Sequence, residues 1–142
     1  MTSGERIVLK AVNRPSKTDL KDLADWFCKV FDLNSRDDWL EPAIFREIVS
    51  NNMSGKGVTS KSLNKKLDVP RTTVIYHLNR FIYSGLVIRR GTRYYLRSED
   101  MKSTLEELQA DMEREFGRLM EFAEKMDEMF ESDVYGRRRQ KE

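Results

Sequence analysis

The sequence predicts a mainly α-helical fold that carries one small β-hairpin and closes on a long C-terminal helix. Three observations lead there. Apolar residues at Val74, Leu78, Phe81 and Ile82 mark the buried stripe of an amphipathic helix, which Ser84-Gly85 stops. Two short apolar and aromatic runs follow at once, Leu86-Val87-Ile88 and Tyr94-Tyr95-Leu96. The segment between them, Arg89-Arg90-Gly91-Thr92-Arg93, gives the pattern of a hairpin with a basic tip. From Ser98 the chain runs to about Glu131 without proline, with apolar residues at helical spacing throughout.

Taken in order, residues 1–36 read as an arm followed by a helix. Ile7-Val8-Leu9 is a short apolar run and Asn13-Arg14-Pro15-Ser16 a turn, so the first part is expected to be a poorly ordered arm or an edge element. Thr18 is the expected N-cap of a helix whose stripe is Leu20, Leu23, Ala24, Phe27, Val30 and Phe31, with Trp26 and Cys28 on its flanks. So much apolar surface on one outer helix predicts packing against the C-terminal helix or a second subunit. Asn34-Ser35 breaks the pattern.

Residues 37–97 form the central module. A helix is expected to start near Asp37 or Asp38, with Pro42 tolerated in its first turn and an inner stripe of Leu40, Ala43, Ile44, Ile48 and Val49. Asn51-Asn52 to Gly57 ends it. Val58 suits a short strand pairing with the hairpin, and Thr59 caps a helix from Ser60 to Leu67 that points Leu63 and Leu67 inward. Asp68-Val69 turns the chain into Pro70, which suits the first turn of the helix 70–84 because its missing N–H would have no partner there. A short helix, a tight turn and a longer helix with a polar face make a helix-turn-helix unit.

Residues 98–133 form the long helix, with Ser98 as expected N-cap and Glu99 and Asp100 at its positive end. Met101, Leu105, Leu108, Met112, Phe116, Leu119, Ala123, Met126 and Phe130 are spaced 4, 3, 4, 4, 3, 4, 3 and 4 apart, one stripe along the whole helix. Nothing else in a chain of 142 residues covers such a stripe, so a second copy is expected to bury it in a coiled-coil-like homodimer. Residues 134–142, with Arg137-Arg138-Arg139, are expected to be a disordered basic tail.

Composition narrows the function classes. Charged residues make up 35% of the chain and mean hydropathy is −0.68. No apolar run approaches the length of about 18 residues needed to cross a bilayer and the first residues lack the apolar core of a signal peptide, so a soluble, intracellular, cytoplasmic protein without membrane association is expected. One cysteine and one histidine allow neither an intrachain disulfide nor a Cys/His zinc cluster. No phosphate-cradling glycine loop or nucleophile-base pair is visible, so an enzyme is not expected. The net charge of +2 hides a division. Residues 54–97 hold ten basic residues against Asp68 alone, whereas residues 98–133 hold thirteen acidic residues against four basic ones. That is the footprint of a phosphate-binding face joined to a segment that avoids nucleic acid.

A helix with Arg71, Thr72, Thr73, Tyr76, Asn79 and Arg80 on its outer face, followed by a basic hairpin, resembles the recognition helix and wing of winged helix-turn-helix DNA-binding proteins. The run TTVIYHLNRFIYSGLV is most similar to the arsenic-repressor-like (ArsR) and multiple-antibiotic-resistance-like (MarR) regulators, and the resemblance covers roughly Ala43 to Arg97. The charge-rich composition is what an archaeal or thermophilic member would have. The resemblance implies a homodimeric transcription regulator that binds double-stranded DNA. Metal-sensing relatives carry paired cysteines or His/carboxylate clusters; this chain lacks the cysteine pairs, and no metal and no cofactor is expected.

On that reading Arg71, Thr72, Thr73, Tyr76 and Arg80 contact the major groove, where arginine can pair with guanine and threonine or tyrosine can meet thymine methyls. His77 is a further candidate, open between a phosphate contact, a base contact and a partly buried spacer. Arg89, Arg90 and Arg93 are expected on phosphates, with the minor groove within reach, and Ser60, Lys61, Lys65 and Lys66 place the module on the backbone. The bland alternative for all of these is a solvated face. Cys28 reads as an inert buried thiol. Two other function classes stay open, a protein-interaction module of a larger assembly and a sequence-neutral, chromatin-like DNA binder. An unidentified hydrophobic effector between the first and last helices also stays open.

Overall fold

A computed structural model describes residues 6–34 and 39–132. The elements are α1 (Leu20–Val30), α2 (Leu40–Met53), β1 (Val58–Thr59), α3 (Ser60–Leu67), α4 (Arg71–Tyr83), β2 (Val87–Arg90), β3 (Arg93–Leu96) and α5 (Met101–Phe130). The chain is mainly helical, with one antiparallel sheet in the order β1-β3-β2. It divides into two compact units, residues 1–107 and 108–142, so the boundary falls inside α5. The expected helix start at Asp37 or Asp38 and the basic tail lie outside the described residues.

Helix α1 is capped by Asp19 and not by Thr18. The backbone of Asp19 is extended, and its carboxylate accepts the Asp22 N–H at 2.8 Å. The helix ends before Asn34, because Asp32 takes a left-handed conformation (φ 56°). The Leu33 N–H then donates to the Cys28 carbonyl and the Asp32 N–H to that of Lys29, a Schellman closure that buries Leu33. Ala24 and Cys28 are the deepest residues of α1, so Cys28 is core and not flank. The arm is tied down rather than loose: the Arg6 N–H donates to the Tyr83 carbonyl, the Lys10 N–H to that of Val30, and the Trp26 indole N–H to that of Asn13. The apolar side of α1 packs on α2, with Phe27 edge-on to Phe45 and Phe45 stacked at 5.6 Å on Phe81 of α4.

Helix α2 buries Leu40, Ala43, Ile44, Phe45 and Ile48, and with them Glu41. Its last turn does more than stop the helix. The Asn52 side chain donates to the carbonyls of Ser98 and Glu99 and accepts the Leu96 N–H, so one amide holds the end of the sheet to α2. Beyond it Gly57 sits at φ +67°, and a Cβ there would lie 2.7 Å from the Tyr95 ring and 3.0 Å from the Tyr94 carbonyl. Only glycine lets the chain pass the sheet this closely.

Thr59 caps α3 in a reciprocal capping box with Ser62, as its side chain predicts. Asp68, in the left-handed region, ends α3, and the Asn64 amide braces the turn by donating to the Val69 carbonyl. Pro70 is the N-cap of α4, one place before the first turn. Val74, Leu78 and Phe81 bury on α4, and Gly85 at φ 86° turns the chain into the sheet. Strands β2 and β3 run through the arginines, so only Gly91-Thr92 forms the tip. Gly91 has φ 62°, which a type II′ hairpin requires at its first linking residue. Asp100, not Ser98, caps α5: its carboxylate accepts the Ser103 N–H at 2.7 Å, while the Ser98 N–H donates to the buried Thr104 hydroxyl.

Candidate nucleic-acid interface

Helix α4 is two-sided. Val74, His77, Leu78 and Phe81 face the core, while Thr72, Tyr76, Asn79 and Tyr83 are exposed at spacings of 4, 3 and 4, with Arg71 exposed beside them at the start of the helix. Tyr76 and Tyr83 stay 60% and 56% exposed, large rings on an uncovered helix face. Tyr83 is absent from the residues singled out in the sequence. Its signal was the same spacing carried one step beyond Asn79.

Arg71 leaves the helix start with its Nε donating to the Ser60 hydroxyl at 3.0 Å. Ser60 is buried, so it faces Arg71 across the two helices and is not itself a surface contact. The Nη groups of Arg71 are left for other acceptors, in a plane set by that bond. Thr73 is half-buried. Lys61 and Lys65 are exposed on α3, which packs on α4, and Lys66 is paired with Glu47 of α2 at 2.8 Å.

His77 takes the buried one of its expected places, and Arg80 turns inward against expectation. The His77 ring is inside, 5% exposed, with Nδ1 3.2 Å from Oε1 of the buried Glu41. It is therefore the buried alternative, because on α4 it falls between Val74 and Phe81 on the core side. Glu41 escaped notice because carboxylates are rarely fully buried, although it stands 3 and 7 residues before Ile44 and Ile48 on the inner stripe of α2. Arg80 is half-buried and donates from Nη1 to the Leu33 carbonyl and from Nη2 to that of Asp32. It clamps the left-handed end of α1 onto α4, so its guanidinium is spent inside the unit.

The three hairpin arginines are exposed but not equal. Arg89 donates from Nε to the Gly91 carbonyl at 2.7 Å and lies over the Tyr94 ring. Arg93 donates to the Lys56 carbonyl at 3.0 Å. Arg90 lies 6.0 Å from the Tyr95 ring centre, a looser cation–π contact that leaves its head in solvent.

Within the first unit Met101 and Leu105 of α5 are half-buried. In the second, Leu108 is buried and Met112 half-buried, but Phe116, Leu119, Met126 and Phe130 are 53–71% exposed and Ala123 is exposed too. Met120, Phe122 and Met129 add to that uncovered surface. These large side chains are all more than half exposed.

Cys28 has its thiol pushed far up by burial first, then by Glu41 and Asp25. Among the described residues no group of three or more His, Cys, Asp or Glu is placed to hold a metal ion, and no helix is long and apolar enough to cross a membrane. No protein-family model, curated protein or solved structure matches this chain.

Proposed function

We propose that the protein is a homodimeric winged helix-turn-helix transcription regulator that binds double-stranded DNA at specific sites. The carrying observation is the outer face of α4: Arg71, Thr72, Tyr76, Asn79 and Tyr83 all uncovered on a helix whose other side is core, directly beside a hairpin with three exposed arginines. On this reading α4 enters the major groove start first, so that Arg71 and Thr72 reach deepest and Tyr76 follows. The hairpin lies along the flanking backbone, and Lys61 and Lys65 of α3 fix the register on phosphates without reading bases. The apolar face of α5 from Phe116 to Phe130 supports a dimer, because a monomer leaves a contiguous row of large apolar side chains exposed. Two-fold symmetry then gives a roughly palindromic operator with half-sites about one helical turn, near 34 Å, or a multiple of it, apart.

In vitro selection from random duplexes tests this. A palindromic consensus is expected. A bound pool without a consensus favours a sequence-neutral binder, and no bound pool at moderate salt favours a protein-interaction module.

A further inference from the structure

We infer that two copies of α5 pair antiparallel, with the two-fold axis passing through Ala123. The inference rests on the dimer just proposed and adds its direction and register. The exposed stripe Phe116, Leu119, Ala123, Met126 and Phe130 is spaced 3, 4, 3 and 4, and its sizes read large, large, small, large, large. Turned end for end about Ala123 it meets itself: Phe116 faces the partner's Phe130, Leu119 the partner's Met126, and the two alanines mark the closest approach. The seam starts at Phe116, where burial along the stripe stops: Leu108 is buried and Met112 half-buried, whereas Phe116 is exposed.

Size alone suits either direction, but charge and flank do not. Residues 119–131 hold five carboxylates against Lys125 alone, and the last turn of α5 has no basic residue to offset the negative end of the helix dipole. A parallel pair sets two such ends side by side. An antiparallel pair sets each against residues 111–118, where Arg114 and Arg118 nearly balance three carboxylates. Phe122 and Met129 widen the stripe on one flank, opposite Met120 and Asp127 on the other. Antiparallel helices bring like flanks together, so Phe122 meets the partner's Phe122. Parallel helices bring it to the partner's Asp127.

Disulfide trapping in the full-length protein tests the direction. Cys28 is 1% exposed and stays out of the reaction. Mixed Phe116→Cys and Phe130→Cys chains should give a cross-linked heterodimer on oxidation. Phe116→Cys alone should give none, since its two copies lie about 21 Å apart along the pair at 1.5 Å per residue, far beyond disulfide reach. Cross-linking of Phe116→Cys to itself, with the mixed link absent, overturns the antiparallel arrangement and leaves the dimer intact. Nitroxides on Glu131→Cys, outside the stripe, give a second reading: at least about 24 Å between copies if antiparallel and under about 20 Å if parallel. A wild-type chain that sediments as a monomer overturns both this inference and the dimer.

Discussion

Arg71 and Arg90 have opposite surroundings, and on the proposed reading the difference gives them different work. Arg71 is held at Nε by the buried Ser60 hydroxyl, so its outer nitrogens point in one plane, as pairing with a guanine edge demands. Among the described residues Arg90 makes a loose ring contact, and it suits a phosphate, which asks for charge and not for orientation. Arg71→Ala is expected to relax preference at one base position by about 1–3 kcal/mol, while Arg90→Ala weakens all sequences together and lowers the salt slope by about one. Ser60→Ala should act at the same base position as Arg71→Ala with less loss of overall affinity. Competition binding against single-base operator variants reads all three. Gly57→Ala places a methyl against Tyr95 at a left-handed residue and should cost about 1–3 kcal/mol in denaturant unfolding. Cys28, buried and with its thiol pushed up, should ignore thiol reagents in the native protein and react only on unfolding. Acid acts on Asp32, held low chiefly by its hydrogen bond from Lys10, and on Asp100, held low by the Ser103 N–H. Lowered carboxylates stabilise the fold above the unfolded value near 4 and lose that effect as pH falls through the folded value. Asp100→Asn should therefore flatten the fall in melting temperature below about pH 4.

Elements with strong periodicity are legible in the sequence. The Thr59 cap, the α3 turn, the hairpin and the run of α5 follow from spacing and turn chemistry that the rest of the chain does not override. What stayed hidden were long-range polar contacts. Asn52 reads as a helix breaker, yet its amide links α2 to residues 96, 98 and 99, more than forty positions away. Arg80 reads as a surface cation because nothing local announces the carbonyls of Asp32 and Leu33. The sequence leaves His77 open between groove and core, because spacing alone does not reveal the buried Glu41 that faces it. Caps slid by one or two places, from Thr18 to Asp19 and from Ser98 to Asp100, because neighbouring polar residues compete for the same amide. Asn52→Ala should cost about 1–3 kcal/mol and speed hydrogen exchange at the Leu96 amide before that of the α4 core.

At the scale of the molecule, charge is sorted along the chain. The basic part carries the α4 face and hairpin, and the acidic part carries the exposed apolar stripe, so on the proposed reading nucleic acid and self-association would draw on different surfaces. A charge on the seam should therefore separate them: Leu119→Glu with Met126→Glu is expected to give a monomer in sedimentation equilibrium that keeps its helical content and the weak, salt-dependent duplex binding of a single module, while tight binding to the two-half-site operator is lost. The most direct measurement is the affinity of the full-length protein for its selected duplex and for a scrambled one of equal length across a salt series. The account predicts a falling log–log line of about −0.9 per phosphate contacted, with a preference of about a thousandfold or more that survives at higher salt. Indistinguishable affinities for the two duplexes, or binding to neither at moderate salt, would contradict it.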